Sequence, residues 1–184
     1  IVFADGVNRA SYFSSGNSVT DINGTNAPTD PKFVTGFKNT LFFAGMSNNP
    51  QQLIFSAPYS PTDFTSANGA GTINLENPIT GLFPFRDSLI IFCEERIFKL
   101  VGNSIADFQL LPVSRNVGCM NGFTIQEFAG DVVFLARDGL RTIAGTERIG
   151  DVELGSISTA VHQLFSAYSN ISEFDSLVVP DKTQ

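Results

Sequence analysis

Phe85-Arg-Asp-Ser-Leu-Ile-Ile-Phe-Cys93 is the stretch that decides how this chain is read. A phenylalanine closes a short approach segment, two or three polar or small residues follow, and a continuous apolar strand begins. The same wording occurs at Phe37-Lys-Asn-Thr-Leu-Phe-Phe-Ala-Gly45 and at Phe128-Ala-Gly-Asp-Val-Val-Phe-Leu-Ala136. A shorter version opens at Phe174-Asp-Ser-Leu-Val-Val179. The four phenylalanines are 48, 43 and 46 residues apart. A fixed period of this length is the mark of a repeat architecture, in which each unit buries its faces on its neighbours.

The later part of the unit recurs as well. Ile97-Phe-Lys-Leu100 starts twelve residues after Phe85, and Leu140-Arg-Thr-Ile143 twelve after Phe128. Leu53-Ile-Phe-Ser56 follows Phe37 at sixteen, the turn being lengthened by Met46-Ser-Asn-Asn-Pro50. Asp63-Phe64 and Asp107-Phe108 each stand ten residues beyond the start of that strand. Ile1-Val-Phe-Ala4 matches Leu41-Phe-Phe-Ala44, so the first residues read as a partial repeat, with a turn at Asp5-Gly6.

Between these landmarks the residues predict short strands and turns. Residues 14–31 have loop composition, residues 33–64 read as two strands around Ser47-Asn-Asn-Pro50, and Thr65 to Pro78 reads as a flexible connector. Leu89-Ile-Ile-Phe-Cys93 is expected to be an inner strand covered on both faces, turning at Glu94-Glu95-Arg96 into Ile97-Phe-Lys-Leu-Val101, with a third strand at Asp107-Phe108-Gln-Leu-Leu111. Asp138-Gly139 predicts a hairpin turn. Ser156 to Tyr168 is the one helical candidate, with Ile157, Val161, Leu164, Phe165 and Tyr168 on a single stripe.

Short strands, frequent turns and a period near 45 residues predict an all-β fold, a partial β-propeller of about four repeats with one inserted helix near 156–168. Blade-like repeats are expected near 1–32, 33–80, 81–123 and 124–170, with the start of another at 171–184. A β-sandwich is the structural alternative, but it does not require the internal register. Both ends read as cut from something longer, so the chain is expected to be one segment of a larger propeller polypeptide.

Composition narrows the function. With 42% apolar and 16% charged residues the chain can fold around a core and leaves room for surface covered by a neighbour. A net charge of −7 argues against a protein that coats nucleic acid. No apolar run is long enough for a membrane helix. Cys93 and Cys119 are the only cysteines. Cys93, in an apolar run, reads as a buried thiol, and Cys119 lies in a turn-like stretch after Gly118; a bridge between them stays open at this point.

Each chemical motif has a bland reading that fits better. His162 is the only histidine, on the predicted helix and partly exposed, without a recognisable nucleophile motif elsewhere. Glu94-Glu95 occupies a turn, where neighbouring side chains diverge. Asp21-Ile-Asn-Gly-Thr-Asn26 lacks the closing glutamate of a calcium loop. Gly69-Ala-Gly71 is followed by no phosphate-binding lysine. Asn23-Gly-Thr25 and Asn170-Ile-Ser172 match a glycosylation pattern that chance often produces. No catalytic, cofactor-binding or metal-binding residue is therefore assigned, no cofactor is expected, and the chain is not expected to be an enzyme.

The succession Gly36-Phe-Lys-Asn-Thr-Leu-Phe-Phe-Ala-Gly45 with Leu53-Ile-Phe-Ser-Ala-Pro58 and Asp63-Phe64, then the Phe85 unit, then Val117-Gly-Cys-Met-Asn121 with Gly130-Asp-Val-Val-Phe-Leu-Ala-Arg-Asp-Gly-Leu-Arg141, resembles β-propeller structural proteins of tailed bacteriophages. Over roughly residues 33–150 it is most similar to the nozzle, or tail tubular protein B, of short-tailed phages. The resemblance implies a virion protein assembled in the host cytoplasm. It implies a hexameric ring below portal and adaptor, contacts with other tail or adaptor proteins, and a channel through which the genome leaves without specific binding or membrane insertion. The chain is far shorter than a complete nozzle subunit, and the helix at 156–168 has no counterpart there. The alternative is a propeller module of a phage or bacterial surface protein that binds a receptor or glycan; the absence of Trp and the three Tyr weigh against sugar.

Overall fold

The computed structural model describes residues 1–144 and 174–177. These residues form four antiparallel sheets, each a meander in which every strand pairs with the next. The first contains β1 (Val2–Phe3), β2 (Ser11–Phe13) and β3 (Val19–Asp21). The second contains β4 (Phe33–Phe37), β5 (Thr40–Ala44), β6 (Gln52–Phe55) and β7 (Gly71–Asn74). The third contains β8 (Ile79–Phe85), β9 (Ser88–Cys93), β10 (Ile97–Val101) and β11 (Gln109–Ser114). The fourth contains β12 (Gln126–Phe128), β13 (Asp131–Ala136) and β14 (Gly139–Thr142).

The landmark phenylalanines explain the hairpins. Phe37 pairs with Thr40, Phe85 with Ser88 and Phe128 with Asp131, so two residues make each turn between the first and second strands. The residue after each phenylalanine has left-handed backbone: Lys38 at φ 45°, Arg86 at 53° and Ala129 at 52°. Such primed turns match the right-handed twist of the flanking strands, at a cost for any residue with a Cβ. At the first two positions the side chain folds back over its own landmark ring, with Lys38 Nζ 5.7 Å from the Phe37 centroid and the Arg86 guanidinium 4.7 Å from that of Phe85.

The same turns clasp consecutive sheets. Lys38 Nζ lies 3.7 Å from Asp87 Oδ1, and Arg86 Nη2 donates to the Gly130 carbonyl at 3.0 Å. One rim of the molecule is thereby linked from the second sheet to the third and from the third to the fourth.

Side-chain alternation stacks the sheets in chain order. Phe43, six residues past its landmark, faces the first sheet in a layer with Ala10, Ile22 and Phe64. Phe42 and Ala44 face the third, in a layer with Leu53, Leu89, Ile91 and Cys93. Ile91, again at the sixth position, points back to the second sheet, whereas Ile90 and Phe92 join Val132 and Phe134 of the fourth. Phe134, also at the sixth position, points back to the third. In the second and third sheets the second strand is largely apolar because a sheet covers each of its faces. Asp63 and Asp107 fix the turns that deliver the next phenylalanine. The first accepts from Thr65 N at 2.8 Å and the second from Ser104 N at 2.6 Å. Phe64 then meets Phe43 at 5.7 Å between ring centroids, and Phe108 meets Phe42 at 6.0 Å.

The sheets converge at their first strands. β4 packs beside β8. Phe33, at the start of β4, lies 5.9 Å from Phe123, which leads into β12. A Cβ on Gly122 would stand 2.1 Å from the Thr80 carbonyl oxygen and 2.8 Å from the Phe33 ring, so only glycine lets the starts of three successive sheets meet there. Residues 174–177 run beside the fourth sheet, where Asn121 Nδ2 donates to the Phe174 carbonyl at 2.7 Å and Gln126 Nε2 to that of Ser176 at 2.9 Å.

Several expectations need correction. Residues 33–64 hold three strands, not two, because the approach to Phe37 is itself β4, paired along its length with β5. The connector at 65–78 holds a 3-10 turn, Ser66–Asn68, and the fourth strand β7. Its Gly71 permits that strand to lie on the Phe55 ring. The loop at 14–31 contains β3, an exposed edge strand whose polar residues concealed it. Asp107-Phe108 precedes β11 rather than opening it. Ala136 pairs with Gly139, so Arg137-Asp138 is the turn and Gly139 starts β14. The third unit begins with β8 at Ile79, ahead of the expected 81. The helix expected at 156–168 lies outside the described residues.

Two predictions follow from the turns. Ala129→Asn places Asn-Gly, the preferred pair for a primed turn, where Ala129 and Gly130 both have positive φ, and raises stability by about 0.5–1 kcal/mol in urea unfolding; an unchanged or lowered midpoint would show that the turn is not strained. In acid, Asp5 matters first. Backbone and side-chain hydrogen bonds from Asn8 and a backbone bond from Val7 lower its pKa from 3.8 to about 2. Hydrogen bonds also lower Asp30, through Ser47 foremost, Asp63, through Thr65, and Asp107, through Ser104. A carboxylate depressed in the folded state contributes stability above its unfolded pKa and loses it as pH falls through the folded one. The thermal midpoint therefore declines from pH 3.8 down to about 2, less steeply in Asp5→Asn; a parallel decline in wild type and variant contradicts this.

Candidate functional site

The repeat register exposes one position where the chemistry changes. The cross-strand partner of the sixth-position residue is Ile54 opposite Phe43, Phe98 opposite Ile91, and Arg141 opposite Phe134. Two units place an apolar side chain in this inter-sheet layer, and the third places a guanidinium. Arg141 is 7% exposed. Its Nε donates to Asp138 Oδ1 at 2.8 Å and its Nη2 to Asp138 Oδ2, a two-pronged pair that spans the β13–β14 turn. Its Nη1 is buried without an acceptor.

Around this pair the third and fourth sheets part into a cleft of about 300 Å³. Glu94 and Glu95 from the β9–β10 turn, Arg115 from the link after β11, and Arg137 from the β13–β14 turn line it with Asp138 and Arg141. Three acids and three arginines make it electrically balanced. Its floor is tight, since a Cβ on Gly118 would stand 2.2 Å from the Cys93 carbonyl oxygen. The Glu94-Glu95 turn expected from sequence thus lines a cleft whose cations the sequence reading did not single out. The signal was present in Leu140-Arg-Thr-Ile143, where Arg141 interrupts a position that is apolar in the preceding unit.

The cysteines take no part in this chemistry. Cys119 N donates to the Cys93 carbonyl at 2.9 Å, so their backbones adjoin. Their side chains enter different layers, Cys93 between the second and third sheets and Cys119 between the third and fourth. Both are free thiols, and the bridge left open by the sequence is absent. Burial pushes the Cys93 thiol up to about 12 and the Cys119 thiol up to about 11. Neither is the thiolate that nucleophilic chemistry requires.

The other sequence motifs stay apart. Asp21 accepts from Ser11 Oγ at 2.7 Å across β2 and β3, and Ile22 is buried, so this loop is held by the protein itself. Gly69 caps the 3-10 turn with left-handed backbone. His162 and Asn170 lie outside the described residues. Among the described residues no three His, Cys, Asp or Glu side chains gather as metal ligands, and no helix is long and apolar enough to cross a membrane.

No protein-family model matches the chain, and no curated protein matches it.

The pair of buried Arg141 and half-exposed Asp138 can be separated from a binding role by substitution. Asp138→Ala leaves the buried guanidinium uncompensated and destabilises by about 2 kcal/mol, whereas Arg141→Leu restores the apolar pattern and costs less than about 1 kcal/mol or stabilises. Urea denaturation of both variants measures this; a larger loss for Arg141→Leu would show that the ion pair, rather than apolar packing, holds the β13–β14 hairpin.

Proposed function

We propose that the chain is the propeller portion of a structural virion protein of a tailed phage, part of the tail nozzle or neck–tail channel that conducts the genome. The observation that carries the reading is the stacking of four meander sheets in chain order with their first strands converging. Sheets stacked in this way are those that, in sufficient number, form a propeller. The unit wording on which the phage resemblance rests corresponds, strand by strand, to the landmarks that build these sheets.

The role is mechanical. Three continuous apolar layers and the rim clasps of Lys38–Asp87 and Arg86–Gly130 join neighbouring sheets into a stiff body, as a conduit under pressure requires. The net charge of −7 suits a wall that DNA passes without adhering. The uncovered face of the first sheet, with Ile1, Phe3 and Phe13 at 85%, 51% and 45% exposure, suits burial against a further sheet of the same build. The partners are further copies in a ring, a hexamer, together with adaptor and other tail proteins.

Native mass and negative-stain imaging of the full-length polypeptide test the reading. The expected result is a closed six-fold ring with a central hole. A monomer that stays monomeric at every concentration removes the channel role.

A further inference from the structure

Between the outer strands of the second sheet and the loop that precedes it lies a groove of about 410 Å³, within the range of small-molecule sites. We propose that this groove binds a neutral sugar unit. The inference rests on the stacked-sheet fold alone and stands or falls independently of the virion reading.

Its chemistry is unlike that of the charged cleft. Among the described residues no ionisable side chain lines it. With no lysine or arginine in its wall, it offers a phosphate nothing to neutralise its charge, and with no carboxylate it offers a metal ion or an amine no anionic partner. What it presents are amides and hydroxyls: Asn26 and Thr29 from the loop, Asn49 and Gln52 from the β5–β6 side, Ser66 and Thr72 from the β7 side. Beneath them lie Met46, Ile54 and Phe64. Donors and acceptors without net charge over an apolar floor match a pyranose, whose hydroxyl edges are polar and whose C–H face is not.

Four of these groups are available, whereas Thr29 Oγ1 donates to Asp30 at 2.7 Å and Gln52 Nε2 to Asn74 at 3.2 Å. Asn26, Asn49, Ser66 and Thr72 are exposed, and their side chains make no hydrogen bond within the protein. The walls that hold them are fixed. Ala27 N donates to the Gly24 carbonyl at 3.1 Å, Ser47 N to Asp30 Oδ2 at 3.0 Å, and Gln52 N to the Asn49 carbonyl at 3.0 Å. The Asp30–Ser47 bond ties the loop to the β5–β6 turn across the end of the groove. Asn26 is held at φ 67°, a left-handed backbone that asparagine tolerates better than most residues. Unsatisfied polar groups converging from three rigid segments provide preorganisation, which lowers the ordering cost of binding. Tryptophan and tyrosine platforms are missing, so the affinity expected is weak, in the millimolar range for a single sugar unit.

Titration of the isotopically labelled protein with glucose and, separately, with N-acetylglucosamine, followed by two-dimensional amide NMR, tests the proposal. The expected result is saturable shifts of the Asn26, Asn49 and Gln52 side-chain amides with at least one sugar. Asn49→Ala should weaken binding about tenfold, the equivalent of one or two lost hydrogen bonds. Thr72→Lys, at an exposed strand position, should abolish it, and Gln109→Ala on the third sheet should leave it unchanged. Absence of saturable shifts with both sugars overturns the proposal, as do shifts of equal size and midpoint in the Asn49→Ala and Thr72→Lys proteins. Asn49→Ala alone decides the matter if Thr72→Lys does not fold.

Discussion

The structure depends on the burial of both faces of the second strand in each of the two middle sheets. Phe42 and Phe43 are adjacent in sequence, fully buried, and belong to different layers. The same is true of Ile91 and Phe92. Each such side chain contributes about 2 kcal/mol through removal from water, but only when a sheet stands on its side of the strand. No sheet here closes a core by itself. The second sheet needs the first for Phe43 and the third for Phe42, and the third needs the fourth for Phe92. This mutual dependence accounts for the repeat period, because every unit must deliver its apolar positions to the same two neighbours.

The rest of the unit serves that stacking. The two-residue turn after each landmark phenylalanine puts the first strand beside the second without lengthening the chain, and the left-handed residue in it directs Lys38 and Arg86 toward the next sheet. Asp63 and Asp107 hold the outer turns so that Phe64 and Phe108 return to the layer shared with the preceding sheet. Gly122 removes the side chain that would keep three sheets apart where their first strands meet. Each device is local in sequence and acts between sheets.

This division explains what was legible. Leu89-Ile-Ile-Phe-Cys93 announces a strand covered on both sides, Val132-Val-Phe-Leu135 announces another apolar strand, and their spacing carries the architecture. The outer strands do not announce themselves. Val19-Thr-Asp21 and Gly71-Thr-Ile-Asn74 are short and polar, because an edge strand has one neighbour and much water, so composition reads them as loop. The groove residues were illegible for a related reason. Asn26, Asn49 and Thr72 lie far apart in sequence and converge only because the loop crosses the outer strands. Glu94-Glu95 was visible as a pair, but its opposing arginines come from two other turns.

Arg141 sharpens the point. Alignment of the units by their hydrogen-bonded partners, rather than by sequence spacing, puts it where Ile54 and Phe98 stand. A guanidinium in an inter-sheet layer is costly unless a carboxylate meets it, and Asp138 does so from the adjacent turn. The pair lies within the fourth sheet and places two charged groups at the cleft that this sheet shares with the third. Glu94, Glu95, Arg115 and Arg137, all from turns or links, line the same cleft. The departure from the apolar pattern of the repeat thus coincides with a cleft where the third and fourth sheets meet. The same stacking that makes the body rigid determines where that cleft can form.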